Sequence, residues 1–318
     1  MTKISVVVGC YNEEENIQLL YHTLVATFTK VEDCEWDLLF IDNGSKDKSR
    51  QILHELAESD LRVKVIFNVR NFGHIRSPYY GMLQSSGDAV VAMACDFQDP
   101  PELIPRFIAE WRAGFKCVLG VKKVKQGDSW SGRLRKLYYR LTQRLSDTPL
   151  YEGFTGFGLY DRDIIEWMRR IDDPYPYFRG LIADLGYPAA QVPFEQPPRK
   201  HGSTKNNFYT LYDLAMLGIT SHSKVPLRLA TMLGFMIAFL SLFVAVGYFI
   251  AKLLFWNYFS VGIAPVIIAI FFFSAVQLIF IGIVGEYVGA IHTQVMKRPL
   301  VVEQERFNFE SKDDGEER

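Results

Sequence analysis

The stretch VVAMACDFQDPPE, Val90 to Glu102, reads as a buried strand that runs straight into a carboxylate. Apolar or small residues lead without a break to Asp96, and Phe97, Gln98, Asp99 and two prolines follow it. A buried, unpaired carboxylate is costly, so Asp96 is expected at the mouth of the strand with a partner: a metal, a helix end or solvent. Which of these it has decides what the surrounding sheet can do.

Outward from this stretch, the apolar runs Ile4 to Cys10, Trp36 to Asp42, Val63 to Asn68 and Ala89 to Asp96 have strand length. Helical patterns separate them at Glu14 to Thr27, Asp47 to Ser59 and Ser77 to Ser86. This alternation predicts an α/β fold, a mostly parallel sheet with helices on both faces, in which ligands bind outside the carboxyl ends of the strands. Polar residues gather at those ends: Tyr11, Asn12, Glu13 and Glu14; Asp42, Asn43, Gly44 and Ser45; Asn71, Gly73 and His74; and Asp96. Taken singly most are turn or capping residues, with Asp47 or Ser45 a good N-cap. Taken together they place polar groups from four strand ends on one rim.

The chain has 318 residues, room for a catalytic domain and something more. A net charge of −1 excludes the global basic field of a nucleic-acid binder. Leu229 to Ile250 and Val261 to Gly285 are each more than twenty residues long without a formal charge, enough to cross a bilayer as helices. Lys224, Arg228, Lys297 and Arg298 flank the spans on one side, while the connection Trp256 to Ser260 carries no charge. The positive-inside rule therefore predicts a multi-pass protein of the inner (cytoplasmic) membrane with both chain ends in the cytoplasm. The N-terminus opens directly into a strand, without a signal-peptide pattern. The 4 cysteines have no paired spacing and read as free thiols. Glu303 to Arg318, short and acidic, reads as a disordered tail.

The strings VVVGCYNEEENI, FIDNGSKDKS, NVRNFGH and CDFQDPPELIP, in that order between Val6 and Pro105, resemble the successive motifs of glycosyltransferase family 2, whose domain has the nucleotide-sugar-binding GT-A fold. RKHGSTKNNFY from Arg199, PLR from Pro226 and GEYVGAIH from Gly285 resemble one branch of it, the polyprenyl-phosphate glycosyltransferases of the dolichol-phosphate mannosyltransferase, GtrB and ArnC type. The organisation implied is a glycosyltransferase domain over residues 1–205, an amphipathic juxtamembrane helix over 206–226, two spans over 227–292 and a tail over 293–318.

The resemblance implies a role for each rim residue. Asp96 matches the second acid of an Asp-x-Asp motif that holds a divalent metal against the donor diphosphate, whereas the first acid falls on Ala94. Magnesium needs only one or two protein carboxylates, and manganese suits the same oxygen site, so Mg2+ or Mn2+ is the cofactor implied. Tyr11, Asn12 and Glu14 would lie along the nucleotide, Asp42 would accept from the base, and Asn71, Gly73 and His74 would complete the nucleotide-sugar site. Asn43 stands where the family usually has a second acid. Gln98 and Asp99 would surround the metal or touch the sugar, although Asp99 equally suits the N-cap of a helix starting at Pro101. The branch also has an acid in a Gly-Asp-Phe string; no acid stands beside Phe157 here, and Glu152 and Asp161 are the acids near it in sequence.

If the acceptor is a lipid phosphate, that loss matters less. A phosphate monoester is mostly dianionic at neutral pH and needs no general base, only cations to hold it. Arg199, Lys200, His201 and Lys205 supply such cations, unless the loop is merely solvated. Between Ser129 and Ser146, Trp130, Leu134, Leu137, Tyr138, Leu141 and Leu145 recur at helical spacing among five basic residues (Arg133, Arg135, Lys136, Arg140, Arg144). That helix fits an anionic leaflet, a protomer interface in a homo-oligomer, or packing on the sheet. Phe208, Leu211, Tyr212, Ala215 and Ile219 mark a second amphipathic helix. The expected function is an inverting transfer of a hexose from a nucleotide sugar, a UDP-hexose, to a polyprenyl phosphate. A processive polysaccharide synthase would show a Gln-x-x-Arg-Trp motif and more spans, and neither is present. A non-catalytic membrane scaffold descended from such an enzyme would explain the acids missing at Ala94 and beside Phe157.

Overall fold

All four apolar runs become neighbouring parallel strands: β1 (Thr2–Cys10), β2 (Cys34–Asp42), β3 (Val63–Asn68) and β4 (Ala89–Ala94). The computed structural model describes residues 1–123, 151–197, 216–218, 220, 224–255 and 262–309, which fall into an α/β unit and a helical unit. In the α/β unit, β5 (Cys117–Lys122), β6 (Phe154–Asp161), β7 (Ala189–Phe194) and β8 (Glu303–Phe307) extend the sheet to eight strands in the order β7-β5-β6-β4-β1-β2-β3-β8. The β5–β7 pair is parallel, while β4–β6, β5–β6 and β3–β8 are antiparallel.

Helices cover both faces, which is why the central strands read as continuous apolar runs rather than alternating ones. On one face Val6, Val8, Leu38 and Phe40 pack with Leu20 and Leu24 of α1 (Ile17–Phe28), Leu53 of α2 (Ser49–Ser59) and Phe107 of α4 (Ile104–Arg112). On the other Val7, Leu39 and Ile41 pack with Met82 of α3 (Gly73–Gln84), Ile165 of α5 (Arg162–Ile171) and Ile182 of α6 (Phe178–Asp184). These side chains are almost wholly buried, and each such burial stabilises the fold by roughly 1.5–3 kcal/mol. Gly9 allows α3 to lie close on β1, because a Cβ there would sit 2.9 Å from the Pro78 ring.

The strand order places the site. From β1 the chain steps to β2 and β3 in one direction, then crosses back to β4 on the other side of β1. The reversal opens a crevice at the carboxyl ends of β1 and β4, the usual ligand position in such sheets.

Three local expectations are corrected. The fourth strand ends at Ala94 rather than running to Asp96, and the helix expected from Ser77 starts at Gly73. The segment read as a disordered tail begins with β8, an ordered strand paired antiparallel with the edge of β3. Its charges are matched along the strand and do not call for solvent: Arg306 pairs with Glu303 at 2.6 Å, and Phe307 packs edge-on against Phe67. Residues 296–309 accordingly cluster with the α/β unit.

The helical unit contains α7 (Val225–Leu254) and α8 (Ile263–Val295). Both are long and apolar enough to cross a membrane, over Val225–Ala251 and Ile268–Val295, and they expose large apolar side chains such as Phe239, Phe243, Ile268 and Phe271. Helix α8 continues past the expected limit at Gly285 through Glu286 and His292.

Candidate functional site

The rim is built first by hydrogen bonds between consecutive loops. After β1 the chain turns through Asn12 in the left-handed region (φ 54°), a conformation asparagine tolerates better than most residues. The Asn12 N–H donates to Ser45 Oγ at 2.8 Å, and its Oδ1 accepts the Lys46 N–H at 2.8 Å. Glu14 Oε2 accepts the Lys48 N–H at 2.9 Å, and the Glu13 N–H donates to Ser49 Oγ at 2.8 Å. The side chains of Asn12 and Glu14 thus tie the β1–α1 loop to the β2–α2 loop, and Tyr11 follows directly on the end of β1.

Asp42 and Asn43 organise the next step of the rim. Asp42 pairs in register with Cys10, is fully buried, and its Oδ2 accepts the Ser45 N–H at 3.1 Å. Its other oxygen is buried with no hydrogen-bond partner among the described residues. Burial pushes the Asp42 pKa up, opposed by its bonds to Ser45 and by the charge of Arg50. Asn43 is a hub: its Nδ2 donates to Asn71 Oδ1 at 2.9 Å and to the Gly73 carbonyl at 3.0 Å, while its Oδ1 accepts the Phe72 N–H at 2.8 Å. Asn71 Oδ1 also accepts the Gly73 N–H at 2.7 Å, so this oxygen is committed within its own loop. Gly44, at φ 75°, lies so near the Arg70 backbone that a Cβ would fall 2.7 Å from its carbonyl carbon. His74 occupies the first turn of α3, its pKa lowered by loss of solvent and then by the charge of Arg179.

At the end of β4 the backbone leaves the strand, and Phe97 adopts φ 61°. Asp96 is largely buried, and its Oδ1 accepts the Gln98 N–H at 3.2 Å. Asp99 turns back, its Oδ2 accepting the Ala94 N–H at 2.9 Å. It does not cap the following helix: the turn Pro101–Leu103 is preceded by Pro100 and has no side-chain cap. Burial pushes the Asp99 pKa up to about 7, Asp96 adds to the rise, and the Ala94 N–H and Lys122 oppose it.

The two acids near Phe157 separate. Asp161 pairs with Ala89 at the far end of β4, roughly 20 Å from Asp96 at strand rise, and accepts from Trp111 Nε1 at 2.8 Å. It is excluded from the rim. Glu152 precedes β6 in the turn whose Gly153 carbonyl accepts the Lys122 N–H, at the same end of the sheet as Asp96. Phe157 itself is core, tilted against Phe107 and edge-on to Phe194 with centroids 4.9 and 5.6 Å away. Arg199, Lys200, His201, Lys205, the Ser129 to Ser146 helix and most of the second amphipathic segment lie outside the described residues.

Residues 5–168, more than half of the chain, match the family model described as glycosyl transferase family 2. The chain belongs to that family. It is 35% identical over 304 residues to the SfII prophage-derived bactoprenol glucosyl transferase of Shigella flexneri, covering 94% of this chain and 97% of that protein. It is 33% identical over 312 residues to the uncharacterized glycosyltransferase YkcC of Bacillus subtilis, covering 97% and 95% of the two chains. Among solved structures it resembles glucosyl-3-phosphoglycerate synthase from Mycobacterium tuberculosis in complex with Mn2+, UDP and phosphoglyceric acid, with 20% identity over 69% of this chain and 76% of that one and a TM-score of 0.49.

In this family 2 chain the carboxyl ends of β1, β2 and β4 bring Tyr11, Asp42, Asp96, Gln98 and Asp99 to one rim. Three contributions went unread in the sequence: Asn43 as the donor that shapes the β3–α3 loop, Asp99 as the brace of the Asp96 loop, and Arg50 beside Asp42. Only the basic side chain in the first turn after DNGSKDKS hinted at the last.

Proposed function

We propose that this glycosyltransferase moves a hexose from a UDP-sugar to a polyprenyl phosphate at the cytoplasmic face of a membrane, with inversion at the anomeric carbon. The observation that carries the reading is the likeness to bactoprenol glucosyl transferases along 94% of the chain, through both apolar helices and the RKHGSTK loop. Asp42 and Asp96 follow strands on either side of β1, hence on the order of 10 Å apart, close to the reach from a nucleotide's base to its phosphates. The Asp42 oxygen that has no hydrogen-bond partner among the described residues suits a donor N–H on the base.

The residues also fit a divalent metal. Asp96 offers a hard carboxylate just past the end of β4, and an ion of this kind can complete its coordination with phosphate and water. When bound, Mg2+ or Mn2+ would supply charge neutralisation for the departing diphosphate. Asp96 would hold it there, Asp42 and Tyr11 would orient the nucleotide, and Arg199, His201 and Lys205 would hold the lipid phosphate for attack on the opposite face of the sugar. Since the phosphate is already anionic, no residue needs to remove a proton from it.

The test is to incubate purified full-length protein with polyprenyl phosphate and a panel of radiolabelled UDP- and GDP-sugars. A labelled lipid from a UDP-hexose supports the proposal. Failure of every donor to label the lipid would point to the non-catalytic scaffold.

A further inference from the structure

One contact network reaches the nucleotide carboxylate from the opposite end of the chain. Arg50 sits in the first turn of α2, its Nε 4.0 Å from Asp42 Oδ2 and its guanidinium 4.8 Å from the centroid of the Phe67 ring. Its Nη2 donates to Gln304 Oε1 at 3.1 Å, and Gln304 lies on β8, the strand that follows the second apolar helix. One turn along α2, His54 stacks on Phe67 at 4.5 Å and meets the edge of Phe307 at 4.6 Å, with its Nε2 3.8 Å from Glu305 Oε2. The start of α2 is therefore clamped to β8 at two successive turns.

We infer that Arg50 is a positioning residue for the nucleotide-binding carboxylate Asp42, and that Gln304 on the post-membrane strand holds Arg50 in place. The inference rests on the proposed nucleotide-sugar site. Asp42 is fully buried, and its hydrogen bond from Ser45 engages only Oδ2; a nearby cation favours the charged carboxylate that a base N–H requires. An unrestrained arginine would spread over many rotamers. The Phe67 ring limits it from one side and Gln304 from the other, and the rigid guanidinium fork lets Nε face Asp42 while Nη2 faces Gln304. A lysine ammonium is a point charge and cannot satisfy both. Donor binding is thereby made to depend on residues that the chain supplies only after both apolar helices.

The experiment is a set of double-mutant cycles on the full-length protein, read as UDP and GDP affinity by calorimetry and as KM and kcat for the donor. Arg50→Ala should weaken nucleotide binding about tenfold and Gln304→Ala about threefold, with KM rising more than kcat falls. In an Asp42→Asn background Arg50→Ala should have little further effect, and Gln304→Ala should add nothing once Arg50 is alanine. Arg50→Lys, which keeps the charge and most of the side-chain volume, should bind nearly as weakly as Arg50→Ala. An Arg50→Ala effect of equal size with and without Asp42 would overturn the inference, because Arg50 would then act directly on the phosphates. So would variants with lowered Tm but wild-type affinity, since Arg50 and Gln304 would then serve only the fold. Wild-type protein that binds neither UDP nor GDP would overturn the proposed function and this inference with it.

Discussion

The Asp99 carboxylate accepts the backbone N–H of Ala94 at 2.9 Å, so the acid that follows Asp96 folds back to brace the loop that presents it. Burial pushes the Asp99 pKa up to about 7, well above the value of about 4 expected in the unfolded chain. A raised folded-state pKa gives stability that is fully present below about pH 4 and is lost as pH rises through about 7, because the folded state binds the proton more tightly there. Asp99→Asn keeps an oxygen for Ala94 without the charge. In metal-free protein it should shrink the loss of stability between pH 5 and pH 8, read through Tm, by at most about 3 kcal/mol. Thermal melts of wild type and variant at the two pH values check this, and parallel pH profiles would show that Asp99 does not titrate near neutrality.

Asp96→Ala should abolish lipid glycosylation, a loss of roughly a hundredfold or more, and EDTA should do the same to the wild type with Mg2+ or Mn2+ restoring it. Full transfer in the presence of EDTA would remove the metal role assigned to Asp96.

Asn43→Asp would install the acid common in the family, yet it should harm this chain. A carboxylate can accept from Phe72 but cannot donate to Asn71 Oδ1 and the Gly73 carbonyl, which Asn43 now holds at 2.9 and 3.0 Å. Each lost hydrogen bond costs about 0.5–1.5 kcal/mol, so the urea midpoint and nucleotide affinity should both fall. Unchanged values for both would show that the loop does not depend on these two bonds.

Arg199→Ala and Lys205→Ala should each lower transfer to lipid about ten- to a hundredfold, the worth of one charge-assisted contact, with a smaller effect on UDP affinity. Transfer rates against polyprenyl phosphate concentration check this. Wild-type kinetics in both variants would assign the lipid phosphate to another basic segment, with Arg133 to Arg144 the next to test.

The four central strands and the rim at their ends were legible because strands buried on both faces are long unbroken apolar runs, and because polar residues crowd where those runs stop. Asp96 stood out on that ground alone. Asp99 did not: followed by two prolines it looks like a cap, and only the fold reveals that the Ala94 N–H lies within its reach. Asn43 reads in the sequence as an uncharged residue that still hydrogen-bonds, and only the fold shows that Asn71 and Gly73 take its two donated hydrogens. The strand β8 was missed because its charges speak for solvent when read locally; the unpaired edge of β3 that it covers belongs to a segment more than two hundred residues earlier in the chain.

That last pairing has a consequence for biosynthesis. β8 is translated after both apolar helices, so the rest of the α/β unit emerges from the ribosome with the N–H and C=O groups along one edge of β3 unsatisfied. Such an edge invites pairing with other chains until its own strand arrives. The sheet is completed only once both apolar helices have been made, so a chain stalled before β8 would leave an adhesive intermediate, and translation through both helices becomes a step in the maturation of the α/β unit.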